Sequence, residues 1–79
     1  MKHIEVYSSH NCTWCVRAKA LLESKGLDYE EINISLDMAR ALEMVERSGR
    51  RTVPQIFIDD EPIGGFDELS ALNQAGRLD

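Results

Sequence analysis

The chain is short of most devices that hold a small protein together. Of its 79 residues two are cysteine, two are proline and one is tryptophan. Two cysteines cannot build the disulfide framework of a small secreted domain. They also stand too close to act as a staple. A bond between Cys12 and Cys15 closes a very short loop, and the chain-entropy gain grows with loop length. The fold must therefore rest on its apolar core. A domain of this size buries only a little over ~60% of the surface its unfolded chain exposes. The hydrophobic fraction of 43% is adequate for that. Positive charge is scarce too, with 9 Lys and Arg against 14 Asp and Glu and a net charge of −5. No basic stripe is present, which argues against nucleic acid as a partner. No apolar run approaches the ~20 residues of a membrane span. Met1-Lys-His-Ile-Glu-Val-Tyr7 lacks a charged-then-apolar signal region. The expectation is one domain over residues 1–79, cytoplasmic, in a reducing compartment where paired cysteines serve chemistry.

The elements follow from periodicity. His3–Ser8 alternates polar and apolar residues and reads as a strand. Cys12–Lys25 follows helical spacing, with Cys15, Ala18, Leu21 and Leu22 on one face and Arg17, Lys19 and Glu23 outside. Gly26 stands where a helix-terminating glycine belongs. Tyr29–Ile34 is a second strand. Ser35 or Asp37 caps a second helix with Met38, Leu42 and Val45 inward and Gly49 at its end. Val53–Ile58 is a third strand with Pro54 at its start, since proline cannot donate to a ladder. Pro62–Gly64 is a fourth. A last helix runs from Phe66 or Asp67 to Ala75, with Leu69 and Leu72 inward. The order β-α-β-α-β-β-α predicts an α/β fold. The first strand pair is parallel with a right-handed crossover, the last pair is a hairpin, and helices flank a four-stranded mixed sheet.

The chemistry centres on Cys12-Thr-Trp-Cys15. A Cys-x-x-Cys directly after a strand, opening a helix in a β-α-β unit, is a redox pattern. Unpaired N–H groups and the helix dipole at the start of the helix favour a thiolate on Cys12. Cys15, one turn along and inward-facing, is placed to resolve a mixed disulfide on Cys12. The rival is a zinc site, which needs two further ligands. Only His3 and His10 offer ring nitrogens; His3 is far up the strand and His10 reads as a loop residue. The redox reading is favoured.

Cys12-Thr-Trp-Cys15, Arg50-Arg-Thr-Val-Pro-Gln-Ile-Phe-Ile58 and Gly64-Gly-Phe-Asp67 together resemble the glutaredoxins, most closely the small bacterial dithiol type. The likeness covers essentially the whole chain and implies a thioredoxin-like fold. It implies a glutathione-dependent oxidoreductase acting on protein disulfides and glutathionylated proteins, with Cys12 as nucleophile and Cys15 resolving. The proline matching Pro54 is cis in that family, and the backbone of Val53 pairs with glutathione as with an added strand. Trp14, Thr52, Val53, Pro54, Gly65, Phe66 and Asp67 are the implied glutathione contacts. Asp67 can pair with the γ-glutamyl ammonium, or simply cap the helix. Phe66 falls where the family varies and can be a packing residue. Arg50 and Arg51, with Arg47 nearby, are the cations at hand for the glycyl carboxylate, and Arg51 is the candidate among them, since arginine suits carboxylate pairing; a solvated arginine cluster near a helix end is the alternative.

Two features, at three positions, depart from the family. Many relatives carry a lysine three residues before the nucleophile, where this chain has Ser9. His10 beside it is a weaker substitute when neutral. The usual Pro-Tyr spacer is here Thr13-Trp14. Relatives without the spacer proline sometimes hold a [2Fe-2S] cluster between two protomers, through the first cysteine and glutathione. An iron–sulfur carrier, with Cys12 as ligand and dimeric when loaded, is therefore the second reading; the first expects a monomer. A donor fed by a flavoprotein is a third, and the Gly-Gly-x-Asp corner argues against it. Without the lysine, support for the Cys12 thiolate rests on the helix start. Ser9→Lys is thus expected to move the pH midpoint of Cys12 alkylation downward. Superimposable titrations of the two proteins would remove the idea.

Overall fold

A computed structural model describes residues 2–78. Strand β1 (Ile4–Ser8) alternates its side chains across the sheet. Ile4 and Val6 join one apolar cluster with Ala18, Leu22, Ile56, Ile58, Leu69 and Leu78. Tyr7 joins a second cluster with Ile32, Met44 and Phe57 on the other face. Helix α1 (Thr13–Ser24) buries Cys15, Ala18 and Leu22. It stops at Gly26, whose φ is +68°. There the N–H groups of Gly26 and Leu27 bond the carbonyls of Glu23 and Leu22, both at 3.0 Å. These paired bonds close a Schellman end, which needs a left-handed residue.

Strand β2 (Glu30–Asn33) lies parallel to β1, with Tyr7 opposite Ile32. Helix α2 (Met38–Ser48) is capped by the Asp37 carboxylate, which accepts from the Arg40 N–H at 3.1 Å. Strand β3 (Gln55–Ile58) runs antiparallel to β1, and β4 (Glu61–Gly64) antiparallel to β3. Their turn uses Asp59 and Asp60, both left-handed at φ 50° and 70°. That conformation matches the twist of a tight hairpin. Helix α3 (Phe66–Gln74) ends the chain's regular structure. The four-stranded sheet has the order β2-β1-β3-β4. The predicted α/β architecture and element order are observed. Strands β2 and β3 are shorter than expected: Tyr29 and Ile34 lie outside the first, and Val53 and Pro54 precede the second.

The face of α2 differs in part from the expectation: Val45 packs against the second cluster as expected, while Met38 and Leu42 do not turn inward. Met38 and Leu42 are 76% and 56% exposed, while Met44 is 1% exposed. The helix turns polar side chains toward the sheet because a polar group waits there. Arg47 lies over the Phe57 ring at 4.0 Å. It donates to Glu5 at 2.8 Å and to the Tyr7 hydroxyl at 2.7 Å. The Tyr7 hydroxyl in turn donates to Glu43. A guanidinium stacked on one ring and bonded to a carboxylate fills this layer where an aliphatic residue was expected. Leu78, beyond the predicted last helix, is also fully buried.

The bond to Arg47 holds the Glu5 carboxyl below the ordinary carboxylate range, against the opposing effect of burial. A depressed carboxylate contributes stability above its unfolded pKa and loses it as pH falls through the folded value. Glu5→Gln is expected to cost about 1.5–3 kcal/mol at pH 7, the range for hydrogen bonds to charged groups. The deficit should shrink as pH falls below the ordinary glutamate value of about 4.3. Denaturant melts of both proteins at pH 7 and pH 3 measure this, and an equal gap at the two pH values would contradict it.

Candidate active site

The loop after β1 delivers Cys12 to the start of α1. Asn11 adopts a left-handed φ of 55°, which asparagine tolerates better than most residues. Cys12 is then the N-cap of α1, and its sulfur accepts the Cys15 N–H at 3.1 Å. The two cysteines are joined as a disulfide with their Cα atoms 5.2 Å apart. Cys15 is 1% exposed, whereas Cys12 is only half-buried. An attacking partner therefore meets Cys12 first. The Val53–Pro54 peptide is cis, and the Val53 carbonyl oxygen lies 3.9 Å from the Cys12 sulfur. Val53 precedes the β1–β3 ladder, which begins where Gln55 faces Tyr7.

A cleft of about 270 Å³ opens beside this point. Trp14 lines it from α1, Thr52, Val53 and Pro54 from the segment before β3, and Gly65, Phe66 and Asp67 from the start of α3. Trp14 and Phe66 stack at 5.5 Å between ring centroids, tilted by 36°, so Phe66 forms wall as well as packing. Arg17 covers the Trp14 ring at 4.7 Å. Of the sequence-predicted residues, Arg51 does not join them: it is exposed, and its neighbour Arg50 lines the cleft instead.

Glu68 was not foreseen. Its carboxylate accepts the Gly65 N–H at 2.7 Å and lies 3.5 Å from the Arg50 guanidinium. These contacts, the Gly65 bond first, hold its carboxyl below the ordinary range. Its position three residues past the N-cap makes one half of a capping box; the Gly65 N-cap has no side chain for the other half, so the usual Ser/Thr-x-x-Glu signature is missing from the sequence. Asp67 is exposed and does not cap the helix, whose N-cap is Gly65.

A second recess flanks the dithiol on its other side, lined by Ser9, His10, Cys12, Cys15, Lys19 and Glu31 among others. Glu31 accepts from Lys19 at 2.9 Å and from the buried Ser8 hydroxyl at 2.7 Å. The lysine bond first, then the serine, hold its carboxyl below the ordinary range. Lys19, read as outward-facing, is thus turned onto the sheet. His10 is exposed and its N–H bonds Ser35. His3 sits beside Glu5 at 4.0 Å, before β1 and so at the opposite end of that strand from the dithiol. Neither histidine completes a zinc site with the cysteines.

The Glutaredoxin family model matches residues 4–63. The chain belongs to the glutaredoxin family. It is 52% identical over 79 residues to glutaredoxin 3 of Escherichia coli, covering all of this chain and 95% of that one. The solution structure of a Brucella melitensis glutaredoxin is 46% identical, with a TM-score of 0.83 over 96% of this chain and 83% of that one. A buckwheat glutaredoxin–glutathione complex is 30% identical, with a TM-score of 0.88 over 98% and 73%. The sheet and helices are those of the thioredoxin-like fold, and family and dithiol together make the protein a thiol–disulfide oxidoreductase. No helix among the described residues is long and apolar enough to cross a membrane.

The two glycines at the α3 corner do different work. Gly64 has a φ of +119°, and a Cβ there would lie 2.7 Å from Glu68 Oε1. Gly65 has an extended backbone, and a Cβ would meet the Pro54 carbonyl oxygen at 3.4 Å, an ordinary contact. Gly64→Ala is therefore expected to lower stability by more than about 1 kcal/mol, and Gly65→Ala by less. Chemical denaturation of the two variants tests the order, and a reversed order would refute it.

Proposed function

We propose that the protein is a glutathione-dependent reductase of protein disulfides and glutathione mixed disulfides. The observation that carries this reading is the position of Cys12. Its sulfur caps α1 and lies against Val53, and Val53 lines a cleft whose other walls are the Trp14 and Phe66 rings and the start of α3. Glutathione offers a thiol between two peptide-like arms. Its cysteinyl backbone suits the unladdered backbone of Val53, as an added short strand. Its γ-glutamyl carboxylate suits the N–H groups at the start of α3, and its ammonium suits Asp67. Trp14, Pro54 and Phe66 flank the thiol arm, and the glycyl end runs past Thr52 toward the exposed Arg51. The glutathione complex of the buckwheat relative supports the assignment by likeness.

The steps are thiol–disulfide exchanges. The Cys12 thiolate, favoured at a helix start, attacks one sulfur of a substrate disulfide. The substrate S–S bond breaks, and one thiolate leaves and takes a proton from water. Cys15 loses its proton and attacks the Cys12 sulfur, which releases the second substrate thiolate and forms the Cys12–Cys15 disulfide. Two electrons have then passed to the substrate. One glutathione thiolate opens that disulfide at Cys12. A second attacks the glutathione sulfur, frees Cys12 and leaves as glutathione disulfide. A glutathionylated substrate needs only the half-buried Cys12, with glutathione completing the cycle.

The iron–sulfur alternative draws on less of this chain. A [2Fe-2S] cluster takes four ligands, which the bridged form would share between Cys12 of two protomers and two glutathione thiolates. This chain offers one accessible thiol, Cys12, and a second that is buried and bonded to it. The remaining ligands would all come from outside the chain.

Cys12→Ser is expected to abolish reduction of a glutathionylated peptide, in a coupled assay with glutathione as the electron source. Cys15→Ser should keep most of that activity and lose reduction of protein disulfides. Full activity in Cys12→Ser would refute the assignment.

A further inference from the structure

Glu68 occupies a corner that a ligand carboxylate would want. The N–H groups at a helix start and a nearby guanidinium form an anion site. At the start of α3 both kinds of donor are present. The Gly65 N–H is 2.7 Å from Glu68 Oε1, and Arg50 is 3.5 Å from the same oxygen. Arg50 and Glu68 both line the cleft, together with Trp14, Val53, Phe66 and Asp67. The chain's own carboxylate thus holds the arginine nearest to where the γ-glutamyl carboxylate arrives. Neither side chain is buried: Arg50 is 53% exposed and Glu68 44%. A pair this exposed exchanges partners easily, since water screens it and two long side chains must be held in one geometry.

We propose that Glu68 is a tethered competitor of the γ-glutamyl carboxylate: it occupies Arg50 and so sets how strongly this cleft selects glutathione over thiols that lack that group. The inference rests on the glutathione reading above. Binding exchanges one carboxylate for another on Arg50, and the displaced Glu68 charge is left facing the ligand. The cost is paid only by ligands that carry a carboxylate at this end. Glu68 is a positioning residue here, since it touches Arg50 and the backbone and not the reacting sulfurs. An exposed glutamate is ionised at neutral pH, so Glu68 competes as a full charge.

The test uses Glu68→Gln, which keeps a side-chain oxygen for the Gly65 N–H and removes the charge. Two substrates are compared: a peptide capped as its glutathione mixed disulfide, and the same peptide capped with cysteinylglycine, which lacks the γ-glutamyl arm. KM for the glutathionylated peptide is expected to fall about two- to fivefold, the range for an exposed ion pair. The change should sit in KM rather than kcat, shrink in high salt, and be absent with the cysteinylglycine cap. An unchanged or raised KM, or an equal fall with both caps, would overturn the proposal while wild-type turnover leaves the glutathione reading standing. If the wild type does not turn over the glutathionylated peptide, the reading fails and the proposal fails with it.

Discussion

The hydrogen bond from the Cys15 amide to the Cys12 sulfur makes the reactive atom of this protein a structural cap. A helix start leaves four N–H groups without intrahelical partners, and some acceptor must meet them. Serine or aspartate usually fills that role. Here sulfur does, so the same field that organises the first turn of α1 also favours negative charge on the nucleophile. The helix that follows is anchored by Ala18 and Leu22, both fully buried against the sheet. The fixed turn also keeps Cys15 beneath Cys12, accessible to it and not to solvent. Accessibility and the field at the helix start together divide the roles of two chemically identical groups.

The rest of the site comes from chain topology. Strand β1 ends beside the dithiol, and β3 runs antiparallel to it, so the segment before β3 arrives at the same end of the sheet. That segment is Thr52-Val-Pro54. The β3–β4 hairpin then returns the chain, with Gly64 opposite Ile56, and α3 begins immediately afterwards. Three segments distant in sequence meet at one end of the sheet because a short hairpin and an antiparallel pairing leave no other place for them. The stacking of Trp14 on Phe66 ties the first of these to the last.

Where sequence spoke clearly, one physical rule dominated. In α1 the apolar residues Ala18, Leu21 and Leu22 share a helical face, and the structure buries that face. The dithiol and the cis proline were read from motif. In α2 two rules conflict. Periodicity favoured Met38 and Leu42 as the inner face, yet Tyr7 and Glu5 project from β1 toward this helix and draw Arg47 inward. A pattern that scores residues as apolar or polar cannot anticipate an arginine that packs on a ring. Glu68 and Arg50 were hard to place for a related reason. Their pairing depends on how far the loop before β3 lies from the start of α3, a distance set by tertiary structure and invisible in local spacing.

The departures from the family pattern now have surroundings. Ser9 lies in the recess on the far side of the dithiol from the cleft, where the cation present is Lys19. Lys19 is bonded to Glu31, so its charge is largely matched within that recess. It does not simply stand in for a lysine at position 9. The spacer differs in another way. Trp14 is 50% exposed, yet its ring is held by contacts with Phe66 and with the Arg17 guanidinium. Proline in a spacer restricts the turn through its own ring. Here Thr13 leaves the turn free, and contacts made by its neighbour supply order from outside it. The rigidity that a ring would build into the backbone is provided instead by packing between α1 and α3. That couples the geometry around Cys12 to the same helix start whose residues line the cleft.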